Sequence, residues 1–397
     1  MVDSADVVVV GAGLNGAVTA LLLHRAGVGR VVLLDSGAPY SAGPREGASS
    51  AGAGLLRVHY DNEPETALAA VSMPYFGRWR EWCGGEAGWR QTGFLRFVEP
   101  DEVAKLRANT DRQVSFGARA SVLGPGELIA LSDRFAPDGI GAAVYEPDSG
   151  TASNRLCTES MVTACERSGV EVRFGTTVTR LQVDASGVST VHLGDDSIDT
   201  RTVVLAAGAG AKTLAASAGV GLPLVARSLT MAEVAPSAEA EDLIAYMDPV
   251  TNSWISPRAP NRVIISVGDA DNGAVVDPTV RRRAVDRSLC LTGLERVAAR
   301  VPFLGNATVT RAWRGVDSFS PDGKPIIGEV PAVAGLYLNV AGCGKGHKVA
   351  PAIGIALTEL ITTGAATTVD LDAFALGRLS GPGFPRSGTE YSRAAIG

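Results

Sequence analysis

The sequence has few of the residues that hold metals or disulfides. Its five cysteines are an odd number, and no two of them form a Cys-x-x-Cys pair. Its four histidines, His24, His59, His192 and His347, are scattered along the chain. These spacings match neither a zinc site nor a disulfide framework. We therefore expect no metal centre and a reducing compartment, which we take to be the cytoplasm.

An excess of positive charge is also missing. Lysine and arginine together number 36, aspartate and glutamate 42, and the formal net charge is -6. A mildly acidic chain offers no electrostatic attraction to a phosphate backbone. We therefore exclude nucleic acid as a partner.

No apolar run has the features of a membrane segment or of a signal peptide. Residues 7–23 form the most apolar stretch, but it contains three glycines, Asn15 and Thr19. Asp3 and Asp6 precede it, where a signal peptide carries basic residues. We expect no targeting sequence and no association with a membrane.

What the sequence does contain is a strand, a glycine turn, a helix and a second strand at its start. Apolar runs at 7–10 and 31–34 flank Gly11-Ala12-Gly13-Leu14-Asn15-Gly16, and Asp35 follows the second run. In a dinucleotide site the first glycine permits the turn, the second admits the pyrophosphate, and the third lets the helix approach the sheet. The helix N-terminus attracts the phosphates, and the terminal acid accepts hydrogen bonds from ribose. The unit predicts dinucleotide binding.

Two more apolar strands run into glycine turns. Residues 202–206 lead into Ala207-Gly208-Ala209-Gly210, and residues 336–341 lead into a loop that ends at Lys348. Three separated turns suggest a long cofactor that is held along its length, which fits FAD better than NAD. A helix is predicted after the third turn, from about Val349 to Thr363, with Pro351 in its first turn.

The remaining pattern predicts an α/β (α+β) protein, and 397 residues favour two domains. Further helices are predicted at 64–83, 153–168 and 278–300. Further strands are predicted at 92–98, 142–146, 170–174, 177–183, 188–193, 227–235, 253–257 and 262–268.

Seven segments in the same order resemble the FAD-dependent amine oxidoreductases, which include monomeric sarcosine oxidase, glycine oxidase and D-amino-acid oxidase. Together they span nearly the whole chain. They are Gly11 to Gly16, Gly47 to Gly52, Leu205 to Gly210, Leu222-Pro223-Leu224, Trp313-Arg314-Gly315, Asp322 to Gly328, and Ala341 to Lys348.

The resemblance implies a discontinuous, Rossmann-like FAD-binding domain and an antiparallel-sheet cap domain that binds substrate. The first would comprise residues 1–82, 147–222 and 308–380, and the second residues 83–146 and 223–307. Residues 381–397 are expected to form a loose tail.

The glycine turns and the resemblance together give a set of cofactor-binding residues. These are Gly11, Gly13, Leu14, Asn15, Gly16, Asp35, Ser36, Ser49, Ser50, Ala51, Gly52, Val178, Ala207, Gly208, Gly315, Gly342, Gly344, Lys345, Gly346, His347 and Lys348.

The resemblance also implies substrate residues. Arg57 and Lys348 match the carboxylate contacts of sarcosine oxidase, and a guanidinium suits a carboxylate with two parallel hydrogen bonds. His59, Tyr60 and Trp254 are candidates to line the pocket, although each could instead be a packing residue. His347 could steer a proton or be satisfied by the backbone.

Three positions depart from the family pattern. Gly315 stands where sarcosine oxidase ties its flavin to a cysteine, so we expect non-covalent FAD. Asp317 stands where glycine oxidase carries a carboxylate-binding arginine, so it either binds a substrate ammonium or caps a backbone turn. Ser266 replaces the lysine that activates O₂ in sarcosine oxidase, which weakens the case for an oxidase of that type.

The resemblance therefore implies an enzyme that transfers a hydride from the carbon beside an amine to flavin N5, leaving an imine. Its partners would be an amine or amino-acid substrate and O₂ or another electron acceptor. Three alternatives stay open: oxidation of a 2-hydroxy acid by the same flavin, a nicotinamide dehydrogenase, and a flavin-binding protein without catalysis.

Overall fold

A computed structural model describes residues 3–40, 47–237, 239–258, 261–268, 273–277, 284–381 and 383–392. Its helices are α1 (Leu14–Arg25), α2 (Ala48–Ala51), α3 (Glu63–Gly77), α4 (Trp79–Cys83), α5 (Val103–Ser115), α6 (Pro125–Leu131), α7 (Asn154–Ser168), α8 (Ala211–Ser217), α9 (Arg287–Arg300) and α10 (Gly346–Thr363). No helix among these residues is both long and apolar enough to cross a membrane.

The strands of the described residues form four sheets. They are β1 (Val7–Val10), β2 (Val31–Leu34), β3 (Leu55–Leu56), β4 (Phe94–Val98), β5 (Ser121–Leu123), β6 (Ala142–Glu146), β7 (Gly150–Thr151), β8 (Glu171–Arg173), β9 (Arg180–Asp184), β10 (Gly187–Leu193), β11 (Asp196–Asp199), β12 (Val203–Leu205), β13 (Val225–Ala235), β14 (Ala245–Asp248), β15 (Ser253–Pro257), β16 (Val263–Ser266), β17 (Thr308–Phe319), β18 (Ile326–Glu329) and β19 (Leu336–Val340).

A six-stranded sheet carries the dinucleotide unit, in the order β18-β19-β12-β1-β2-β8. Its strands are parallel except β18, which runs antiparallel to β19. Every residue of β1 and β2 is buried, as expected for parallel strands covered on both faces. Helices α1, α3, α7 and α10 supply one apolar cluster on this sheet. The predicted Rossmann-like domain is confirmed.

The second large sheet has eight strands, in the order β17-β13-β16-β15-β14-β4-β6-β5. It is antiparallel except at one place, where β14 runs parallel to β4. Strand β17 belongs to this sheet, because Val225 to Ala235 pair with Phe319 to Thr308. The expected boundary at residue 308 would divide β17 from its partner. We therefore propose that the cofactor-binding domain resumes after residue 319.

Two smaller sheets complete the strand pairing. Strands β9, β10 and β11 form an antiparallel meander beside the six-stranded sheet. Strands β3 and β7 form a two-residue pair that joins the segment after α2 to the start of α7.

Several predicted elements have different ends. The helix expected at 64–83 is two helices, α3 and α4. Helix α3 ends at Gly77, a poor helix former, and Arg78 separates it from α4. Residues 278–283 of the helix expected at 278–300 lie outside the described residues. Within the described residues, α9 begins at Arg287. The strands that were not predicted are β3, β5, β7, β11, β14, β17 and β18. Helix α10 begins at Gly346, three residues early, so Pro351 lies inside the helix.

The expected loose tail is partly ordered by contacts. Thr389 accepts from Arg112 and donates to Asn109, at 2.9 Å and 2.6 Å. The Tyr391 hydroxyl lies 2.7 Å from His59 Nε2, and its ring lies under the Arg96 guanidinium at 4.1 Å. We therefore describe residues 387–392 as a C-terminal strap. Residues 393–397 of the expected tail lie outside the described residues.

Candidate cofactor and substrate site

A cavity of about 980 Å³ lies between the six-stranded sheet and the eight-stranded sheet. On one side it is lined by Gly11, Ala207 and Gly342, which follow β1, β12 and β19. On the other side it is lined by Met231 of β13 and Trp254 of β15. The connections from β1 and β12 lead to opposite sides of the sheet, and such a switch point is where open α/β sheets bind ligands.

Twenty of the residues expected at the cofactor or the substrate line this cavity. They are Gly11, Gly13, Asn15, Asp35, Ser36, Ser49, Ser50, Ala51, Gly52, Val178, Ala207, Gly208, Trp254, Gly315, Asp317, Gly342, Gly344, Gly346, His347 and Lys348.

The first glycine turn packs as a dinucleotide turn does. Gly11 has a φ of 110°, and a Cβ there would lie 2.4 Å from the Ala206 carbonyl oxygen. A Cβ at Gly16 would lie 1.9 Å from the Gly11 carbonyl oxygen, so only glycine lets α1 approach this closely. Gly16 therefore acts through packing and does not line the cavity. This agrees with the packing role that the sequence predicts for the third glycine. Leu14 is buried, and its N–H donates to Ser49 Oγ at 3.1 Å, so the expected contact of Leu14 with the cofactor is corrected.

The carboxylate of Asp35 is held in place by backbone. Its Oδ2 accepts from the Ala12 N–H and its Oδ1 from the Gly37 N–H, both at 2.8 Å. The Thr176 N–H donates to the Asp35 carbonyl at 2.9 Å, which brings the 175–178 segment and Val178 to the same end of the cavity. The acid is therefore held rigidly in the cavity lining, and its contact with a ribose remains a proposal.

The third glycine turn is a strained loop at the N-terminus of α10. Ala341 and Cys343 have φ values of 59° and 50°, a region that costs a non-glycine residue of order 1–3 kcal/mol. The loop is held by the Cys343 N–H, which donates to the Ser318 carbonyl at 3.2 Å. Asn15 Nδ2 donates to the Gly346 carbonyl at 3.2 Å and ties α10 to α1. Two helix N-termini therefore face one cavity.

Asp317 belongs to the support of this loop. Its Oδ2 accepts from the Gly344 N–H at 2.7 Å and its Oδ1 from the Ser318 N–H at 2.8 Å. Burial raises the pKa of Asp317, and these two N–H groups oppose the rise. Each oxygen accepts from one backbone N–H, which supports the turn-capping alternative, and contact of Asp317 with a substrate ammonium remains a proposal.

Buried polar atoms without a partner among the described residues surround the cavity. They are Asn15 Oδ1, Asn154 Oδ1, Ser318 Oγ, Asn339 Nδ2 and both ring nitrogens of His347. Buried polar atoms are rarely left unpaired, so they indicate a polar ligand along the length of the cavity. An FAD fits this cradle, with glycines at its narrow points. Asn154, Ser318 and Asn339 were missed by the sequence analysis, although Asn339 interrupts an otherwise apolar strand.

Two basic side chains stand in the first turn of α10, where the helix dipole disfavours positive charge. Burial, together with Arg57 and Lys345, lowers the pKa of Lys348 well below its ordinary value. Burial, together with Arg258 and Lys348, lowers the pKa of His347 to about 3. His347 is therefore a neutral imidazole, packed edge-on against Phe76 at 5.4 Å.

The wall opposite α10 is apolar. Trp254 packs against the buried cluster of Leu55, Phe94, Ala245 and Met247, and its backbone N–H donates to Ser266 Oγ at 3.0 Å. Trp254 thus both lines the cavity and covers core. Ser266, in the position of the missing lysine, is buried behind the wall.

Three expected substrate residues lie behind the lining. Arg57 is buried, donates to the His59 carbonyl, and stacks on the Tyr60 ring at 4.2 Å. The His59 ring is held between Gln113 and Tyr391. Burial, with Arg96 nearby, lowers the pKa of His59 well below its ordinary value. His59 and Tyr60 are therefore packing residues, which corrects their expected place in the pocket, and contact of Arg57 with substrate remains a proposal.

Lys345 is also turned away from the cavity. Its Nζ forms an ion pair with Glu65 and donates to the Gly323 carbonyl at 2.9 Å. Lys324 pairs with the same carboxylate. Burial alone would raise the pKa of Glu65, but the two lysines lower it to about 2. The expected cofactor contact of the Lys345 side chain is corrected to a role in bracing the loop.

Gly315 faces α2 across the cavity rim. A Cβ at this position would lie 2.7 Å from Ala51 Cβ, and Trp313 Nε1 donates to the Ala51 carbonyl at 2.9 Å. None of the five cysteines, all of them free, lines the cavity. Among the described residues, no group of three or more His, Cys, Asp or Glu side chains could hold a metal ion.

Comparisons with known proteins agree with this architecture. The sequence model of the family described as FAD dependent oxidoreductase matches residues 6–360. The chain is 28% identical over 389 residues to glycine oxidase from Geobacillus kaustophilus (strain HTA426), covering 95% of this chain and 98% of that protein. It is 27% identical over 359 residues to mitochondrial sarcosine dehydrogenase from Mus musculus, covering 86% of this chain but only 37% of that longer protein.

Solved structures give the same result. Glycine oxidase from Geobacillus kaustophilus superposes with a TM-score of 0.80 at 25% identity, over 94% of this chain and 98% of that one. L-proline dehydrogenase from P. horikoshii superposes with a TM-score of 0.86 at 20% identity, over 97% of this chain and 100% of that one, and so shares the fold.

Proposed function

The chain belongs to the family of FAD-dependent oxidoreductases, and from that premise we propose that it oxidises the C–N bond of an amino acid or a secondary amine to an imine. FAD is the cofactor of this family, and its isoalloxazine ring, when bound, accepts a hydride equivalent from the carbon beside nitrogen. Support for the amine comes from relatives whose names are glycine oxidase, sarcosine dehydrogenase and 4-methylaminobutanoate oxidase.

The proposal that the substrate carries a carboxylate rests on Lys348. It lines the cavity and is 5% exposed, and its Nζ makes no hydrogen bond and no ion pair with any described residue. A carboxylate in the cavity would give this amine a partner, and Arg57 behind the lining would add attraction. The substrate is therefore an amine that carries a carboxylate.

The remaining walls position the rest of such a substrate. Leu55, Met231 and Trp254 line the cavity on the apolar side and offer a surface for a side chain or an N-alkyl group. Their apolar surface also excludes water from the reacting carbon. The N-terminus of α10 presents a partial positive charge, which stabilises the negative charge that develops on the cofactor as it is reduced.

The flavin is held without a covalent bond in this proposal. The support is that Gly315 has no nucleophilic side chain and that no cysteine lines the cavity. Acid precipitation should therefore leave the yellow colour in the supernatant. A coloured pellet would contradict non-covalent binding.

The five free, buried cysteines support a reducing compartment such as the cytoplasm.

The test is anaerobic flavin reduction by a panel of D- and L-amino acids, N-methyl amino acids, cyclic imino acids and 2-hydroxy acids. We expect at least one amine to bleach the flavin absorbance and the hydroxy acids to leave it unchanged. Bleaching by a hydroxy acid alone would contradict the proposal. The rate at which colour returns in air then decides between O₂ and another acceptor.

Variants test the carboxylate contact. Lys348→Met should weaken the affinity for a carboxylate-bearing amine by about tenfold or more, which corresponds to the loss of a charge-assisted hydrogen bond. Lys212→Met is the matched control, because Lys212 donates to the Leu224 carbonyl and does not line the cavity. An unchanged affinity in Lys348→Met would remove the carboxylate from the substrate definition.

A further inference from the structure

Lys348 is a buried amine without an acid of its own. Two cations, Arg57 and Lys345, lie close enough to lower its pKa, and Glu65 is the carboxylate that acts against them. Glu65 is already shared by Lys345 and Lys324. A third positive charge in this enclosed place would be poorly solvated and repelled.

The other described groups near Lys348 form no ion pair with it either. His347, its neighbour on α10, is neutral and lies near Arg258. Asp317 lines the same cavity, but its oxygens accept from the Ser318 and Gly344 N–H groups, and it is not among the charges that shift the pKa of Lys348. Tyr60 stacks on the Arg57 guanidinium at 4.2 Å, and burial raises the pKa of its hydroxyl. The partial positive charge at the N-terminus of α10 also disfavours the charged form of Lys348.

The substrate, for its part, must lose a proton before it can be oxidised. In water an amino acid carries an ammonium and a carboxylate, whereas hydride loss from the neighbouring carbon requires a nitrogen with a free electron pair. One proton must therefore leave the substrate inside a cavity that excludes water. The two groups of an α-amino acid are joined through a single carbon, so a side chain that contacts the carboxylate lies within hydrogen-bond reach of the ammonium, directly or through one water.

We propose that Lys348 enters the complex as a neutral amine and accepts this proton from the substrate ammonium. The substrate N–H bond breaks and its electron pair stays on the substrate nitrogen, while a new N–H bond forms on Nζ. The proton and the charge are conserved within the complex. The resulting Lys348 ammonium then pairs with the substrate carboxylate. One proton transfer therefore leaves the substrate nitrogen with a free electron pair and also forms the ion pair that holds the carboxylate. This inference rests on the amine oxidation proposed above.

The first test counts protons without turnover. Acetate has a carboxylate and no amine, so its binding to the oxidised holoenzyme should draw about one proton per site from the buffer at about pH 8. The uptake is measured with a pH indicator in weak buffer, and binding by the shift in the flavin spectrum. Lys348→Arg, which stays protonated, should bind acetate with no uptake. Lys324→Arg, the same change in the neighbouring ion pair, should behave as wild type.

The second test follows the rate constant of anaerobic flavin reduction from about pH 6 to about pH 9 with an amine that bleaches the wild type. The wild-type rate should stay nearly flat, because the complex provides the base. In Lys348→Arg the rate should rise about tenfold per pH unit up to the pKa of the amine, because only the neutral amine reacts. Lys348→Gln should show the same slope, which guards against a folding defect specific to arginine.

Three results would overturn the inference: acetate binding to the wild type without proton uptake, failure of acetate to bind, or pH profiles that coincide in the wild type and in Lys348→Arg. Failure of the proposed function looks different. In that case no amine bleaches the wild-type flavin at any pH, whatever the acetate experiment gives.

Discussion

A single methyl group at residue 315 is enough to disturb the cavity rim. Its carbon would lie 2.7 Å from Ala51 Cβ, which is closer than real Cβ contacts come, so α2 would have to move. Overpacking of this kind costs about 1–3 kcal/mol. We expect Gly315→Ala to weaken FAD binding by about tenfold, measured by quenching of flavin fluorescence. Gly377→Ala, where the added carbon meets nothing within 4 Å, should leave the affinity unchanged.

Asp317 gives a second prediction at this scale, because its two proposed roles have different consequences. As the acceptor of the Gly344 and Ser318 N–H groups, it should be needed for the cofactor loop. Asp317→Asn leaves one N–H facing an amide donor, at a cost of about 1–3 kcal/mol. Fluorescence titration should show FAD bound at least fivefold more weakly. Unchanged FAD affinity with weakened amine affinity would instead support contact of Asp317 with a substrate ammonium.

Glu65 gives a pH dependence whose sign can be worked out. The two lysines lower its pKa from the ordinary 4.5 to about 2 in the folded protein. Its contribution to the free energy of unfolding is therefore complete above about pH 5 and is lost as the pH falls toward 2. Glu65→Gln leaves two lysines without their partner and should lower the unfolding free energy at pH 7 by about 3 kcal/mol.

Urea denaturation at a series of pH values checks this. The difference between the wild type and Glu65→Gln should shrink steadily below about pH 4.5. Glu329→Gln is the control, because Glu329 is exposed and forms no ion pair with a described residue. A difference that stays constant down to the lowest pH would mean that the variant acts through shape and not through charge.

At the scale of elements, the composition of the C-terminal residues did not predict the C-terminal strap. A stretch rich in Gly, Ser and Pro suggests loose chain, yet Tyr391 is 9% exposed. Its hydroxyl lies 2.7 Å from His59 Nε2, and this ring belongs to the network behind Arg57. Tyr391→Phe would leave a buried ring nitrogen unpaired and should cost about 1–3 kcal/mol of unfolding free energy.

Equilibrium unfolding in urea measures this cost. Tyr337→Phe is the matched change, since Tyr337 is half-buried and its hydroxyl makes no hydrogen bond with a described residue. Equal stability of Tyr391→Phe and the wild type would show that the strap rests on its other contacts, those of Thr389 and Ser392.

Element ends were predictable where local chemistry decides them. The helix predicted at 153–168 matches α7 to within one residue, because Ser153 caps it through the Leu156 N–H and Gly169, with a φ of 102°, ends it. The start of α10 was wrong, because a glycine-rich stretch reads as loop, whereas the contact of Asn15 with Gly346 stabilises a helical turn there. Pro351 then lies inside the helix and leaves the His347 carbonyl without an intrahelical donor.

At the scale of the molecule, the convergence of three distant glycine turns could be predicted, because each turn follows an apolar strand of one parallel sheet. The lining from β15 and β17 came from the family resemblance and not from periodicity, and the lining from β13 was not predicted. Nothing local in the sequence indicates that Arg57, His59 and Tyr60 lie behind the lining. That placement depends on α5, β4 and the C-terminal strap, which are distant in the chain.

The same architecture predicts how cofactor binding should stabilise the whole protein. FAD at about 100 times its Kd should raise the unfolding free energy by about 2.7 kcal/mol. Asp35, fixed by two backbone N–H groups, is the acceptor proposed for the adenosine ribose, and FMN lacks that ribose. Asp35→Ala should therefore lose about 1.4 kcal/mol, a factor of ten, of the stabilisation by FAD and none of the stabilisation by FMN.

Thermal unfolding of the apoprotein with each flavin gives the comparison, and each variant is referred to its own apo form so that any intrinsic destabilisation cancels. Asp195→Ala, an exposed acid in the turn between β10 and β11, should respond to both flavins as the wild type does. An equal loss with FAD and FMN in Asp35→Ala would place the isoalloxazine end, and not the adenosine, beside Asp35. The cofactor would then lie in the cavity in the reverse direction, and Lys348 would no longer be next to the reacting ring.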